Sequence, residues 1–508
     1  MKKNVAFLML PILAGLVGCR GTSATSSSAP NPDDSSSENT GYVSQIDTPT
    51  EITLWSITGK NNQSQLEAYI NEFKRLEPNV TVNNVIQTGM GYNELKSAVV
   101  QGFSANNYPD IVQCYPDHVA EYINYGKAVK LDSYIDNKTY GWTDEDKQDI
   151  YQSFITEGQE YTVEGTYSVP YCKSTEAMYY NEDILIGLNL SSIDSSINGG
   201  KPLTKAYIEN LTWEELFGKL CPAIIDYNKN LPASQKILKE DQDYHAVFAY
   251  DSDDNLFITL AKQYGIPYTS VSSEGKGVFD FGEGENKTKM ATLLNKWSEY
   301  AQKGYIISKG SAGNNYTNTY FTKQNTLFSV GSTGGYKYQF DTTNPMNVGV
   351  APIPHAEGKN LYTINQGPSL AILDHADENK KLASWLLYKT ITNKDNALDW
   401  AVNSGYMGIR KSSVTSDEYK DASDDTTKDP KTLDRLTALN MKYSGNEKVL
   451  NSLYVAPAFV GSSEARTQVG GVITAALTKN ANNAPASIAA LETAIDNAYN
   501  QSKLAAGK

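Results

Sequence analysis

The sequence predicts an α/β protein of two lobes, each a sheet flanked by helices. Two observations carry this: strand-like and helix-like segments alternate from Glu51 onward, and the globular part, roughly 460 residues, exceeds what one hydrophobic core usually supports. A third marks the join. The polar run Lys173-Ser174-Thr175-Glu176 stands between strand-like segments, where the chain is expected to pass first from one lobe to the other.

The first residues lie outside that fold. Lys2 and Lys3 precede an almost wholly apolar run, Val5 to Val17, shorter than the ~20 residues that span a bilayer, so residues 1–18 read as an export signal. The signal ends in Leu16-Val17-Gly18-Cys19, which resembles the lipobox of bacterial lipoproteins. That resemblance implies cleavage before Cys19 and a lipid on its sulfur, with two acyl chains sufficient for stable attachment. After Cys19, the chain to residue 48 mixes Ser, Thr, Asn, Asp and Pro with almost no large apolar side chain. Such a segment cannot offset its ordering entropy and reads as a disordered tether (19–48) with an r.m.s. span of about 30 Å.

The alternation then runs in order. Glu51–Thr58 is rich in apolar and β-branched residues and reads as a strand. From Asn62 to Leu76, Leu66, Tyr69, Ile70 and Phe73 recur on one helical face. Val80–Ile86 is a second strand, Tyr92–Phe103 a helix with Leu95, Val99 and Phe103 on one side, and Ile111–Tyr115 a short buried strand. A helix carrying Val119, Tyr122 and Ile123 follows. In doubly wound sheets of this kind ligands bind at the carboxyl ends of strands, which points to Trp55 and to Tyr115-Pro116-Asp117. Farther on, a hairpin is expected from Tyr161–Glu164 through Gly165 to Tyr167–Pro170, then a strand over Ala177–Tyr180 and a helix from Asn181. Residues 421–447, polar and rich in Asp, Thr and Lys, read as an insertion without a clear pattern.

Charge and motifs narrow the function. A net charge of −14 argues against nucleic acid and against a polybasic membrane contact. Beyond Cys19 there are Cys114, Cys172 and Cys221, with no C-x-x-C, and buried thiols are expected rather than a disulfide. The four histidines are isolated, no H-E-x-x-H or G-x-S-x-G occurs, and no Gly-Lys pair is followed by the Ser or Thr of a phosphate loop. Asp251-Ser252-Asp253-Asp254-Asn255 imitates the start of a calcium loop but fails at Leu256 and Lys262, and reads as an acidic helix N-terminus. No metal, cofactor or catalytic set is expected.

The order ITLW, EFKRLEPNV, PDIVQCYPD and GTYSVPYCKSTEAMYYNEDIL, continued by LTWEEL (211–216), FSVG (328–331), VGVAPIP (348–354) and SGYM (404–407), resembles the family 1 extracellular solute-binding proteins. That family serves ABC importers and includes maltose-binding and glycerol-3-phosphate-binding proteins. The resemblance implies two lobes with three crossings and a solute cleft, the crossings falling near Tyr171, Gly331 and Gly367. Lobe 1 is then expected to hold 49–171 and 332–367, and lobe 2 to hold 172–331 and 368–508. The departure at Gly408, where relatives often carry proline, leaves the loop before Ile409-Arg410 undefined.

Sugar sites combine aromatic plates with carboxylates, amides and arginine. Trp55 and Tyr115 are candidate plates and Asp117 a hydroxyl acceptor. The family match adds Ser174, Thr175 and Glu176 at the first crossing, Ser332 and Tyr336, Gly367 and Ser369, and Tyr406. Arg410 and Arg466 bear on solute charge, and Arg466 resembles the late arginine of glycerol-3-phosphate binders. The expected protein is a monomeric, lipid-anchored receptor on the extracytoplasmic face of the cell membrane that captures a neutral mono- or oligosaccharide for ABC permease subunits. The alternatives are a sugar-phosphate binder, a surface glycan hydrolase, and a surface sensor or adhesin.

Overall fold

The computed structural model describes residues 44–507; the expected export signal (1–18), the expected lipidation at Cys19 and the expected tether as far as residue 43 lie outside the described residues. Among the described residues no helix is long and apolar enough to cross a membrane. The ordered body begins earlier than expected. Ile46 is buried, and the backbone amides of Gln45 and Ile46 donate to the buried Glu77 carboxylate at 3.0 and 3.1 Å. A carboxylate removed from water needs such donors, so residues 44–48 belong to the fold rather than to the tether.

The strands that build the two main sheets are β1 (Thr50–Ser56), β2 (Val80–Ile86), β3 (Ile111–Cys114), β4 (Val169–Pro170), β5 (Glu176–Asn181), β6 (Phe248–Tyr250), β7 (Ile306–Ser308), β8 (Phe328–Ser332), β9 (Val348–Ala351) and β10 (Ser369–Ile372). The helices that concern the cleft and its support are α1 (Gln63–Leu76), α2 (Tyr92–Ala105), α3 (Pro116–Asn124), α4 (Gln152–Glu157), α5 (Asp253–Tyr264), α6 (Glu378–Ile391), α7 (Leu433–Ser444) and α8 (Ser462–Leu477). The first sheet runs β2-β1-β3-β10-β4 and the second β9-β5-β8-β6-β7. Strands β1, β2 and β3 are mutually parallel, as are β6, β7 and β8, whereas β10 is antiparallel to β3 and β5 is antiparallel to β8.

The predicted helical faces are the buried ones: Leu66, Tyr69, Ile70 and Phe73 of α1 enter the core beneath β1, with Trp385 and Leu387 of α6 in the same cluster. The second core is organised around Trp213, Phe217, Phe248 and Trp297, whose rings meet edge-on or stacked at 5.0 to 5.9 Å. Cys114, Cys172 and Cys221 are buried and unpaired.

Sheet membership differs from the expected division of the chain. The passage from β4 to β5 lies at residues 171–175, but Gly331 is no crossing: β8 and β9 lie in the same sheet, joined through β5. Thus β9 places part of 332–367 with the second sheet. Conversely β10 pairs between β3 and β4, and α6 packs on α1 and β1, so the segment after Gly367 first returns to lobe 1. The hairpin at 161–170 is also absent: Tyr161 bridges to Ala458, and only Val169–Pro170 forms a strand. Residues 421–447 are ordered, with α7 packed against β9 and the Tyr443 hydroxyl donating to the Glu176 carbonyl at 2.7 Å.

The crossings are sewn together at residues 172–175. Ser174 and Gln366 exchange backbone hydrogen bonds at 2.8 and 3.0 Å, Cys172 N donates to Pro368 O at 3.0 Å, Thr333 N to Thr175 O at 2.8 Å, and Met407 N to Lys173 O at 2.7 Å. Gly367 fits there because it adopts φ +84°, and a Cβ would lie 2.1 Å from the Cys172 carbonyl. Beneath this backbone knot Lys173 is fully buried. Its ammonium pairs with Glu157 of α4 and donates to Gly367 O at 2.7 Å, while the Ser369 hydroxyl donates to Glu157 at 3.0 Å.

Candidate functional site

Between the two sheets lies a cleft of about 710 Å³. Its first wall starts where β3 ends. Tyr115 is the N-cap of α3, Pro116 pre-sets the first helical turn and Asp117 lies in that turn, where the helix dipole favours a carboxylate. The Tyr115 ring meets Tyr92 of α2 edge-on at 4.6 Å. His118 lies behind them; burial lowers its pKa to about 4, so it is neutral above that pH.

The opposite wall repeats the device. Strand β6 ends at Tyr250, Ser252 occupies the N-cap position of α5 with its hydroxyl donating to Asp254 at 2.7 Å, and Asp253 and Asp254 occupy the first turn. The Asp253 carboxylate accepts from Gly310 N at 2.9 Å and from Thr474 Oγ1 at 3.0 Å. Asp251 accepts from Thr317 N at 2.9 Å. The first turns of α8 close this side with Ser462, Ser463, Arg466 and Thr467. The Arg466 guanidinium reaches Asp254 at 2.7 Å and also donates to Asn255 Oδ1. Burial works against its charge, but Asp254 and Asp117 hold its pKa above the ordinary arginine value. Across the cleft, Lys96 Nζ of α2 lies 3.4 Å from Ser463 Oγ.

Behind the wall, Asn255 Nδ2 donates to Glu176 at 3.0 Å and to Gln366 at 2.9 Å, and the Tyr250 hydroxyl donates to the other Glu176 oxygen. Burial pushes the Glu176 pKa up to about 7 against the pull of these hydrogen bonds. The lining also contains Tyr268, Tyr316, Asn365 and the loop 455–458. Three buried polar atoms of lining residues, Tyr268 Oη, Thr269 Oγ1 and Asn365 Oδ1, have no hydrogen-bond partner among the described residues.

Of the residues singled out from sequence, Tyr115, Asp117 and Arg466 meet in this cleft. Glu176 stands one layer behind it. Trp55 instead packs against the cluster of Leu95 and Val99. Ser174 is buried, with Ser332 Oγ donating to its hydroxyl at 3.4 Å, and Thr175 is tied to Thr363 at 2.9 Å. Tyr336 is buried and accepts from Thr437 at 3.0 Å, Ser369 serves Glu157, and Tyr406 lies parallel to Trp400 with centroids 6.1 Å apart. With Gly367 these residues belong to the crossings and their support, not to the lining. Arg410 is a correction: it is 3% exposed and pairs with Asp146 and Asp149 at 2.9 and 3.2 Å, joining the segment after Tyr406 to residues 144–149. The sequence reading missed Tyr92, Asp254, Asn255, Tyr268, Tyr316 and Gln366. Their one available signal was the acidic helix N-terminus at 251–255, which strand β6 places at a sheet's carboxyl end.

Two α/β lobes with a polar, tyrosine-lined cleft at the carboxyl ends of their strands have the architecture of a two-lobed solute-binding protein. The profile of the bacterial extracellular solute-binding proteins matches residues 68–427, and the chain belongs to that family. Solved structures agree on the fold. UgpB of Mycobacterium tuberculosis with glycerophosphocholine is 16% identical, with TM-score 0.60 over 89% of this chain and 98% of that one. The cyclic α-maltosyl-1,6-maltose binding protein of Arthrobacter globiformis is 16% identical (TM-score 0.61, 89% and 99% covered). Maltose-bound MalE3 of T. maritima is 17% identical (TM-score 0.61, 90% and 99% covered). No curated protein matches the chain significantly.

Proposed function

We propose that this chain is the carbohydrate receptor of an ABC importer, binding a mono- or oligosaccharide without turning it over. The observation that carries this reading is the lining itself: tyrosines on both walls beside carboxylates, amides and Arg466. Tyrosine faces suit the C–H surfaces of sugar rings, and the polar groups suit hydroxyls that donate and accept. Structural relatives solved with maltose and with ribitol, and one named for binding a cyclic maltosyl-maltose, support the same class. Tyr115, Asp117 and Arg466 are the proposed contacts from the first reading, joined by Tyr92, Asn255 and Tyr268. Solute bridging both walls favours the closed arrangement, which then docks on the permease.

The same proposal includes export of a monomer, cleavage before Cys19 and lipid anchoring on the outer face of the membrane. Calorimetric titration of the full chain with maltose, maltotriose, cyclic maltosyl-maltose, glucose and ribitol tests the binding. Micromolar affinity that falls in Tyr115→Ala is expected; no heat with any of the five sinks the carbohydrate reading. Mass spectrometry of the membrane fraction tests the anchor: a diacylated Cys19 peptide is expected, and an intact residue 1–18 segment refutes it.

A further inference from the structure

The cleft's charges are unevenly matched. Among the described residues its lining contains the carboxylates of Glu94, Asp117, Glu157, Asp251, Asp253 and Asp254, of which Glu157 is paired with the buried Lys173; the basic side chains in the lining are Lys309 and Arg466. Both cations already have internal partners. Lys309 Nζ lies 3.8 Å from the centroid of the Tyr316 ring, and Arg466 is paired with Asp254 at 2.7 Å.

Arg466 is also held from a second direction. Asn255 accepts from the guanidinium through Oδ1 and donates through Nδ2 to Glu176 and Gln366. Reversing that amide would aim its NH2 at the guanidinium, so the acceptor side of Asn255 stays on Arg466. An arginine fixed this way presents its remaining N–H donors to hydroxyls. Asp254 and Asn255 both occupy Nη2, which each two-pronged edge of a guanidinium includes, so a phosphate seeking the bidentate fork would have to displace one of them and sit beside the Asp254 carboxylate, and like-charge juxtaposition is strongly unfavourable.

We propose that Asp254 is a specificity-determining residue: by holding Arg466 it restricts the cleft to uncharged hydroxyl-rich solutes and excludes phosphate and other oxyanions. The proposal rests on the carbohydrate reading for the solute it admits, but the excluded class is tested without any sugar.

The probe is inorganic phosphate, titrated calorimetrically into the full chain in detergent, with glucose 6-phosphate as a second anion. The wild-type protein should show no saturable phosphate binding. Asp254→Asn keeps the side-chain volume, removes the charge, and should show saturable phosphate binding, at least about tenfold tighter than the weakest binding the wild-type titration would detect. The gain should vanish in Asp254→Asn combined with Arg466→Met, which separates the cleft from adventitious anion sites. Asp254→Ser, with circular dichroism melting of every variant, covers the case in which the asparagine misfolds. Saturable phosphate binding by the wild type that Arg466→Met abolishes overturns the proposal. So does the absence of any gain in a folded Asp254 variant. Failure of all neutral sugars to bind would instead remove the carbohydrate reading and leave the phosphate result standing by itself.

Discussion

The crossing knot and the cleft wall use the same chemistry at different depths. In the knot, Lys173 and Glu157 are 0% and 1% exposed, whereas in the wall Arg466 and Asp254 are 30% and 29% exposed. A fully buried ion pair has its donors and acceptors satisfied internally, and removing one partner strands the other away from water. A pair that still reaches solvent keeps donors for a solute and contributes little to stability. Depth, not residue type, therefore separates the cation that maintains the architecture from the one available for recognition.

The largest expected effect comes from breaking the buried member. Lys173→Met leaves Glu157 without its cation and should cost ~3–5 kcal/mol in urea unfolding. A loss below ~1 kcal/mol would mean that the knot tolerates an unpaired carboxylate, and the contrast with the wall would fail. Arg410→Met should follow at about 2–3 kcal/mol, because Asp146 and Asp149 lose their shared partner. Solute affinity should be unchanged in this variant; a loss would return Arg410 to the binding site. In Arg466→Met the balance reverses: stability should move by less than ~1 kcal/mol while the affinity for the sugar that binds best falls about tenfold or more. Equal effects on stability and affinity would show that the wall pair is structural too.

A further pair of effects is read from pH. The native pKa of Glu176, raised by burial from 4.5 to about 7, means that the native state holds a proton that the unfolded chain releases first. Its contribution is therefore fully present below about 4.5 and lost as pH rises toward about 7, up to ~3 kcal/mol. His118 has the opposite sign: its pKa falls from 6.5 to about 4, so stability is lost as pH falls through that window. Relative to wild type, Glu176→Gln should gain stability as pH rises from about 4.5 to about 7, and His118→Gln should gain as pH falls from about 6.5 to about 4. Denaturant unfolding at several pH values checks both; parallel curves for wild type and either variant would refute that assignment.

Much of the fold was legible because periodicity records which face of an element is buried. The spacing of Leu66, Tyr69, Ile70 and Phe73, the β-branched run of Val80–Ile86 and the short apolar strand before Pro116 each specify a face or a strand locally. The rule that ligands meet strand carboxyl ends then pointed to Tyr115 and Asp117, which line the cleft, and to Trp55, which does not. Only the tertiary structure decided what the polar residues do. Ser174, Thr175, Glu176 and Asp117 look equally available in one dimension, yet the first three are held in or behind the crossing knot and only Asp117 lines the cleft. The division of the chain after Gly331 was likewise open, because β9 and β10 choose their sheets through partners that are distant in sequence. Local pattern encodes burial of an element's own face. A cleft is made where ends of distant elements converge, and no periodicity within a single segment specifies that convergence.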